Sequence, residues 1–162
     1  MGKTGNKIIK VDKEKLIKKL NKALADEWLA YYQYWIGSKV VKGVKKEAVI
    51  AELVEHATDE LRHANLLVER IMQLGGDPII DPTNWYELTN CGYEVPADYA
   101  SMPIVKQNIK GERCAIEAYQ ELYEMVKGKD LVTEEIVKEI LRDEVEHEDD
   151  LEALQEDLEE LK

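Results

Sequence analysis

The chain has 162 residues, 44% of them hydrophobic and 35% charged, with a formal charge of −12. That length suits one domain with a real core, and the acidity argues against a general binder of nucleic acid. No apolar run approaches the ~20 residues that cross a bilayer, and the N-terminal segment lacks an apolar core of signal-peptide length, so a cytoplasmic location is expected. In a reducing compartment its two cysteines should not form a routine structural disulfide; a pair there would be redox-active.

The charge is unevenly placed. Residues 1–22 hold eight lysines against Asp12 and Glu14, whereas residues 130–162 hold fifteen carboxylates against Lys138, Arg142 and Lys162. Residues 1–11 are expected to form a lysine-rich tail, solvated by default, with DNA contact as the alternative. Residues 12–162 are expected to form a single bundle domain.

Four stretches carry helical periodicity. The first is expected from Asp12, as N-cap, to about Ser38, with Leu16, Leu20, Ala23, Glu27, Ala30 and Tyr34 on its inner face. The second runs from about Lys46 to Leu74, where Gly75-Gly76 is a strong stop signal; its face reads Val49, Leu53, His56, Glu60, His63 and Leu67. The third spans about Pro103 to Lys127, with Val105, Ile109, Glu112, Ile116 and Tyr119 aligned. The fourth starts near Thr133 and Ile136 and continues through Ile140, Glu144, His147, Leu151, Leu154 and Leu158.

One glutamate therefore interrupts the apolar stripe of every helix, and the second and fourth helices add a histidine three residues later. Buried glutamates need compensation, and four facing one core require a cation. The midpoint of Glu27 and Glu60 falls beside Gly43, and that of Glu112 and Glu144 falls on Gly128, so each antiparallel hairpin sets its two glutamates level. The second half repeats the first at an offset of about 85 residues, with Asp59-Glu60-Leu61-Arg62-His63 echoed by Asp143-Glu144-Val145-Glu146-His147.

Between the hairpins lie about 27 residues with little periodicity. A ~28-residue helix is ~42 Å long, a distance such a connection can cover when extended. The third helix can then start parallel to the second. An all-α, ferritin-like four-helix bundle with one long crossover between its second and third helices is the expected fold, with a short helix in the crossover near Asn84 to Leu88.

Glu-x-x-His sets both side chains on one helix face, and two single glutamates plus two such pairs is the carboxylate arrangement that holds two iron or two manganese ions. One imidazole per metal among carboxylates suits iron or manganese better than structural zinc. Two iron ions per chain are expected at Glu27, Glu60, His63, Glu112, Glu144 and His147, with manganese or zinc able to substitute in vitro. Asp59 and Asp143 are candidates for a crossed arrangement behind the histidines, Asp59 to His147 and Asp143 to His63; solvated aspartates are the alternative. Tyr34 and Tyr119, each seven residues after a ligand glutamate, either hydrogen-bond a ligand, donate an electron or simply pack. His56, one turn before Glu60, is a further ligand or a residue on the iron path, or else a hydrogen-bonded core or interface histidine.

Ala25-Asp26-Glu27 with Tyr31-Tyr32-Gln33-Tyr34, Asp59 to Ala64, Leu74-Gly75-Gly76, Glu112-Arg113-Cys114-Ala115 and Asp143 to Glu148 resemble the bacterioferritin-like proteins, most closely the Dps-like thioferritin branch. The resemblance implies Glu60 and Glu144 as bridges, with Glu27 and His63 on one iron and Glu112 and His147 on the other. It implies that Cys91 and Cys114 lie beside the site and can pair as redox cysteines; unconnected thiols are the alternative, and Cys114, two residues past Glu112, points away from the ligand face. The implied activity is Fe(II) oxidation by hydrogen peroxide or oxygen, with ferric storage in a homo-oligomeric, typically dodecameric, shell and protection against oxidative stress.

Leu61 stands where bacterioferritins carry their haem-ligating methionine, so no haem is expected. Fifteen residues follow His147, too few to finish the fourth helix and add the fifth one of 24-subunit ferritins, so the smaller shell is expected, and with no Cys-x-x-Cys pairs no rubredoxin module is expected. Competing readings are a non-storage di-iron or di-manganese oxidase or peroxidase, and a DNA-coating Dps-type protein. All six ligands come from one chain here, whereas Dps proteins build their iron site across a subunit interface, which weakens the DNA reading.

Overall fold

Asp12 starts the first long helix by accepting from the N–H groups of Glu14 and Lys15. This cap satisfies two donors that the helix itself cannot. The structure, a computed structural model, describes residues 2–160. Its helices are α1 (Lys3–Lys7), α2 (Lys13–Val40), α3 (Lys46–Leu74), α4 (Trp85–Leu88), α5 (Ser101–Val126) and α6 (Leu131–Glu159), with a 3-10 turn at Pro82–Asn84. The four long helices form an all-α bundle. No described helix is long and apolar enough to cross a membrane.

Several expected boundaries move. The fourth helix begins at Leu131, two residues before Thr133, and is capped by Asp130. Its inner face at the start uses Val137, fully buried, while Ile136 is only half-buried. The third begins at Ser101, so Pro103 sits in its first turn, where an absent N–H costs nothing. The first ends at Val40, two residues beyond Ser38. The N-terminal segment is not wholly a solvated tail: Lys3–Lys7 is helical, Ile9 and Val11 pack on the core, and Lys10 N–H donates to Lys129 at 2.8 Å. Residues 161 and 162, assigned to the bundle domain, lie outside the described residues, as does Met1.

α2 and α3 form one hairpin, α5 and α6 the other, and α3 packs on α6 as α2 packs on α5. Gly43 and Gly128, in the two hairpin turns, take φ of 102° and 67°, a region that disfavours residues with a Cβ. At the end of α3, Gly75 takes φ 83°, and the N–H groups of Gly75 and Gly76 donate to Met72 and Ile71. A Cβ on Gly76 would stand 2.7 Å from Ile17, so glycine lets the crossover pass against α2.

The crossover is fastened along its course. Asn21 holds Asp77 and Ile79, and Trp85 stacks on Trp28 with ring centroids 5.6 Å apart. Cys91 is disulfide-bonded to Cys114 of α5. At the far end Lys42, in the α2–α3 turn, exchanges backbone hydrogen bonds with Tyr99 and Ser101. The connection therefore returns along the bundle before α5 begins.

The core has two apolar halves. One is built around Leu16, Leu20, Leu67, Ile71, Leu122 and Ile140, the other around Leu53, Val49, Ile104, Val105, Ile109 and Leu151. The polar layer containing Glu60 and Glu144 lies between them in sequence along every helix.

A buried ion pair locks α3 to the start of α6. Arg70 donates to both Asp130 oxygens at 2.8 and 2.7 Å and to Thr133 Oγ1 at 2.7 Å. Arg70→Met would strand a buried carboxylate and should cost about 3–5 kcal/mol in denaturant unfolding. Burial alone would raise the Asp130 carboxyl, but hydrogen bonds from Thr133 and Arg70 outweigh it and hold it below its ordinary 3.8. Folding thus favours the ionised form, whose contribution is full above the unfolded value and lost as pH falls through the folded one. The stability gap between wild type and Asp130→Asn should narrow below about pH 4. Cys91 and Cys114 are 23 residues apart, and the loop-closure estimate for that span puts the loss in Cys91→Ser at about 3 kcal/mol, read from the thermal midpoint.

Candidate metal centre

Glu27 on α2, Glu60 and His63 on α3, Glu112 on α5 and Glu144 and His147 on α6 all lie buried in one layer across the bundle. They fall into two groups, Glu27 with Glu60, His63 and Glu144, and Glu112 with Glu60, Glu144 and His147. The donor atoms of each group lie within 4.8 Å of one another. Glu60 and Glu144 belong to both groups, which is the arrangement two bridging carboxylates would have.

Both imidazoles turn Nδ1 inward. His63 Nδ1 stands 3.3 Å from Glu27, 3.4 Å from Glu60 and 3.2 Å from Glu144. His147 Nδ1 stands 3.7 Å from Glu60, 3.8 Å from Glu112 and 3.7 Å from Glu144. Their Nε2 atoms face outward to aspartates of the opposite hairpin: His63 to Asp143 at 3.2 Å, His147 to Asp59 at 3.5 Å, the edge of hydrogen-bonding range. Arg62 fastens both aspartates, donating to Asp59 at 3.1 Å and to Asp143. The tyrosines also cross over: Tyr34 of α2 donates to Glu112, and Tyr119 of α5 donates to Glu27.

The electrostatics are those of carboxylates forced together. Burial first, then the charges of Glu144 and Glu27, pushes Glu60 well above the usual carboxylate range. Burial and Glu144 raise Glu112 to about 7. Burial would lower His147, but Glu112 and Glu144 outweigh it and raise it to about 10. His63 is likewise raised against its burial by Glu144, Glu27 and Glu60. Burial and the neighbouring carboxylates push both tyrosines well above 10, so they remain neutral donors. The crowded carboxylates and imidazoles thus take up protons more readily, and a divalent cation would compete for the same positions.

The residues fit metal ions. Glu27 Oε2, Glu60 Oε1, Glu112 Oε2, Glu144 Oε1 and both histidine Nδ1 atoms are buried without a hydrogen-bond partner. Six orphaned donors converging on one layer would be costly unless a ligand satisfied them, and oxygen with imidazole nitrogen is a donor set suited to iron or manganese.

A small cavity of about 40 Å³ adjoins Glu27, Glu60, Glu112 and Glu144, and Cys91 and Gly92 form its outer end. Cys91 also borders an outer groove with Cys114, Tyr93 and Lys110. Cys114 is half-buried beside that groove and does not line the inner cavity.

Residues 17–161 match the ferritin-like domain. The chain belongs to the ferritin-like di-iron superfamily. It is 37% identical over 140 residues to the DNA protection during starvation protein of Pyrococcus furiosus, covering 85% of this chain and 75% of that protein. It is 32% identical over 136 residues to the bacterioferritin of Desulfovibrio desulfuricans, covering 83% of this chain and 71% of that one. Among solved structures, the dodecameric thioferritin of Bacteroides fragilis superposes with a TM-score of 0.92 at 45% identity, covering 94% of this chain and 90% of that one. Dps from Thermosynechococcus elongatus shares the fold, with a TM-score of 0.82 at 15% identity, covering 93% and 94%. Iron storage and a di-iron carboxylate site go with this ferritin-like membership at the level of the family.

Two features of this ferritin-like chain, Asp26 and Arg62, escape the sequence argument, and His56 lacks the hydrogen bond expected of it as a core histidine. Asp26, beside Glu27, is buried and accepts from Thr89, from Asn90 N–H and Nδ2 at 2.8 and 2.6 Å and from Cys91 N–H at 3.0 Å; burial raises its carboxyl despite these bonds. Arg62 sits in a motif that gives no hint it will reach the opposite hairpin. His56 is buried, T-shaped against Tyr34 and stacked on His147, and burial with the His147 charge pushes it down to about 4, leaving it neutral.

Neutralising one of four crowded carboxylates removes repulsion from the metal-free protein but also removes a ligand. Glu60→Gln should unfold no earlier than wild type when metal-free. Zn(II), used as a redox-silent probe, should raise the wild-type thermal midpoint and leave the variant's nearly unmoved.

Proposed function

We propose that this chain is a ferroxidase and iron-storage mini-ferritin. Two Fe(II) ions are its substrates, held by Glu27 and His63 on one side, Glu112 and His147 on the other, with Glu60 and Glu144 between them. The observation that carries the reading is the set of six buried donor atoms without partners, converging from four helices on one layer. The bound iron supplies one electron per ion to hydrogen peroxide or oxygen. Two Fe(II) ions reduce one peroxide with two protons to two waters and leave two Fe(III) ions.

The protein's own contribution is positioning. Asp143 accepts from His63 Nε2–H and Asp59 faces His147 Nε2, which holds each Nδ1 toward the centre, where it would give up its proton to a cation. The tyrosine hydroxyls hold one oxygen of Glu112 and one of Glu27, leaving the other for a cation. The cavity behind the carboxylates has room for a molecule of water or peroxide size. Apolar residues above and below exclude bulk water, and the low dielectric strengthens every charge interaction inside.

The storage half of the reading draws support from the likeness to a dodecameric thioferritin. A homo-oligomeric shell, twelve chains in the proposed form, would enclose the oxidised iron. The exposed carboxylates among residues 130–162 offer acidic sites for ferric mineral.

Metal-free protein loaded with Fe(II) and hydrogen peroxide, then passed over a sizing column, should elute as a large shell carrying many irons per chain. About two irons per chain on a small oligomer would leave a di-iron oxidase or peroxidase and overturn storage. Glu60→Ala with Glu144→Ala should reduce Fe(II) oxidation by at least ~100-fold; a wild-type rate in that variant would sink the assignment of the centre.

A further inference from the structure

The third histidine of the chain has no role in the six-residue centre. His56 is 2% exposed, yet its Nδ1 has no hydrogen-bond partner among the described residues. Its Nε2 faces Glu52 Oε2 at 3.7 Å and Asp150 Oδ2 at 3.9 Å, too far for hydrogen bonds. The Nε2 of this buried ring, with no hydrogen-bond partner among the described residues, is aimed between two carboxylates, a position a cation would fill.

The distances from His56 to the two carboxylates admit one shared ion. Donor atoms of Glu52, His56 and Asp150 lie within 4.8 Å of one another. Two donors on an ion with bonds of ~2.1 Å stand ~3.0 Å apart when adjacent and ~4.2 Å apart when opposite, and the observed 3.7 and 3.9 Å fall between these limits. Each half of the central site likewise sets one imidazole among carboxylates, three of them there and two here.

The position is equally informative. The Glu52 and Asp150 side chains are 34% and 49% exposed, so the carboxylates meet water while the ring reaches inward. The His56 ring stacks on His147 with centroids 4.0 Å apart and meets Tyr34 edge-on at 5.2 Å. One imidazole thickness separates this cluster from a residue of the centre.

We propose that Glu52, His56 and Asp150 form a third divalent-cation site, which takes Fe(II) from water and holds it beside the two-ion centre. The role in delivering iron rests on the ferroxidase reading of that centre; the site itself is built from different residues. Two carboxylates at the mouth attract the hydrated cation, and the buried imidazole replaces one of its waters.

The test uses crystals of the full chain soaked anaerobically with Fe(II) and anomalous difference maps at the iron edge. The expected result is density bonded to His56 Nε2 alongside density in the centre. Glu52→Gln with Asp150→Asn, both at partly exposed positions, should lose the outer density and keep the central density. Central density without the outer peak in wild type overturns the third site and leaves the ferroxidase reading standing. Outer density without central density supports the third site and overturns that reading. In stopped-flow Fe(II) oxidation the double variant should need several-fold more Fe(II) for half-saturation; an unchanged requirement overturns the delivery role.

Discussion

Carboxylates buried side by side repel one another, and a helical bundle can hold four of them only if positive charge is brought among them. Here protons on Glu60, Glu112, His63 and His147 do that work in the metal-free protein. Two divalent cations would bring four positive charges to the same four glutamates and satisfy the orphaned oxygens and nitrogens at once. The layer therefore gives little stability by itself. The apolar halves on either side, with the Arg70–Asp130 lock and the fastened crossover, must supply the surplus that keeps the donors assembled.

The two hairpins meet that requirement by repeating each other, and their side chains cross. Tyr34 reaches from α2 to Glu112, and Tyr119 reaches from α5 to Glu27. Asp59 and Asp143 each stand behind the histidine of the other hairpin. Crossing ties the hairpins together through the ligands they position, so a shift of one hairpin would disturb both halves of the centre. Within the repeated motif the charge reverses at one place: Arg62 has Glu146 as its counterpart. A single guanidinium thus serves both aspartates, and it sits closer to Asp143 than to Asp59. The tighter His63–Asp143 contact and the looser His147–Asp59 contact follow that asymmetry.

The bundle and its polar layer were legible because both are periodic. Glu27, Glu60, Glu112 and Glu144 fall in phase with the leucines around them, and glycines mark both hairpin turns. Long-range polar contacts have no such signature. Asp130 reads as one more residue of an acidic segment, and its burial under Arg70 depends on two helices meeting sixty residues apart. At the start of α6, Val137, seven residues before Glu144, is the buried residue, and Ile136 is half-buried beside it. Asp150 illustrates the same limit: it is one more carboxylate of α6, and only the packing of α6 on α3 sets it near His56.

The crossover illustrates how a segment without periodicity can still be specified. Its backbone is held by Asp26, the residue next to Glu27, through Thr89, Asn90 and Cys91. A buried carboxylate accepting several such bonds fixes the loop to the very turn of α2 that carries a ligand. The Cys91–Cys114 bond then fixes the same point to α5, two residues beyond Glu112. The loop is thereby anchored beside ligands of both hairpins, and Cys91 borders both the inner cavity and the outer groove. A mere spacer would need only to span the length of the bundle. This one is held where a change in its own covalent state would alter the wall of the cavity against the carboxylates, so the loop belongs to the centre as much as the helices do.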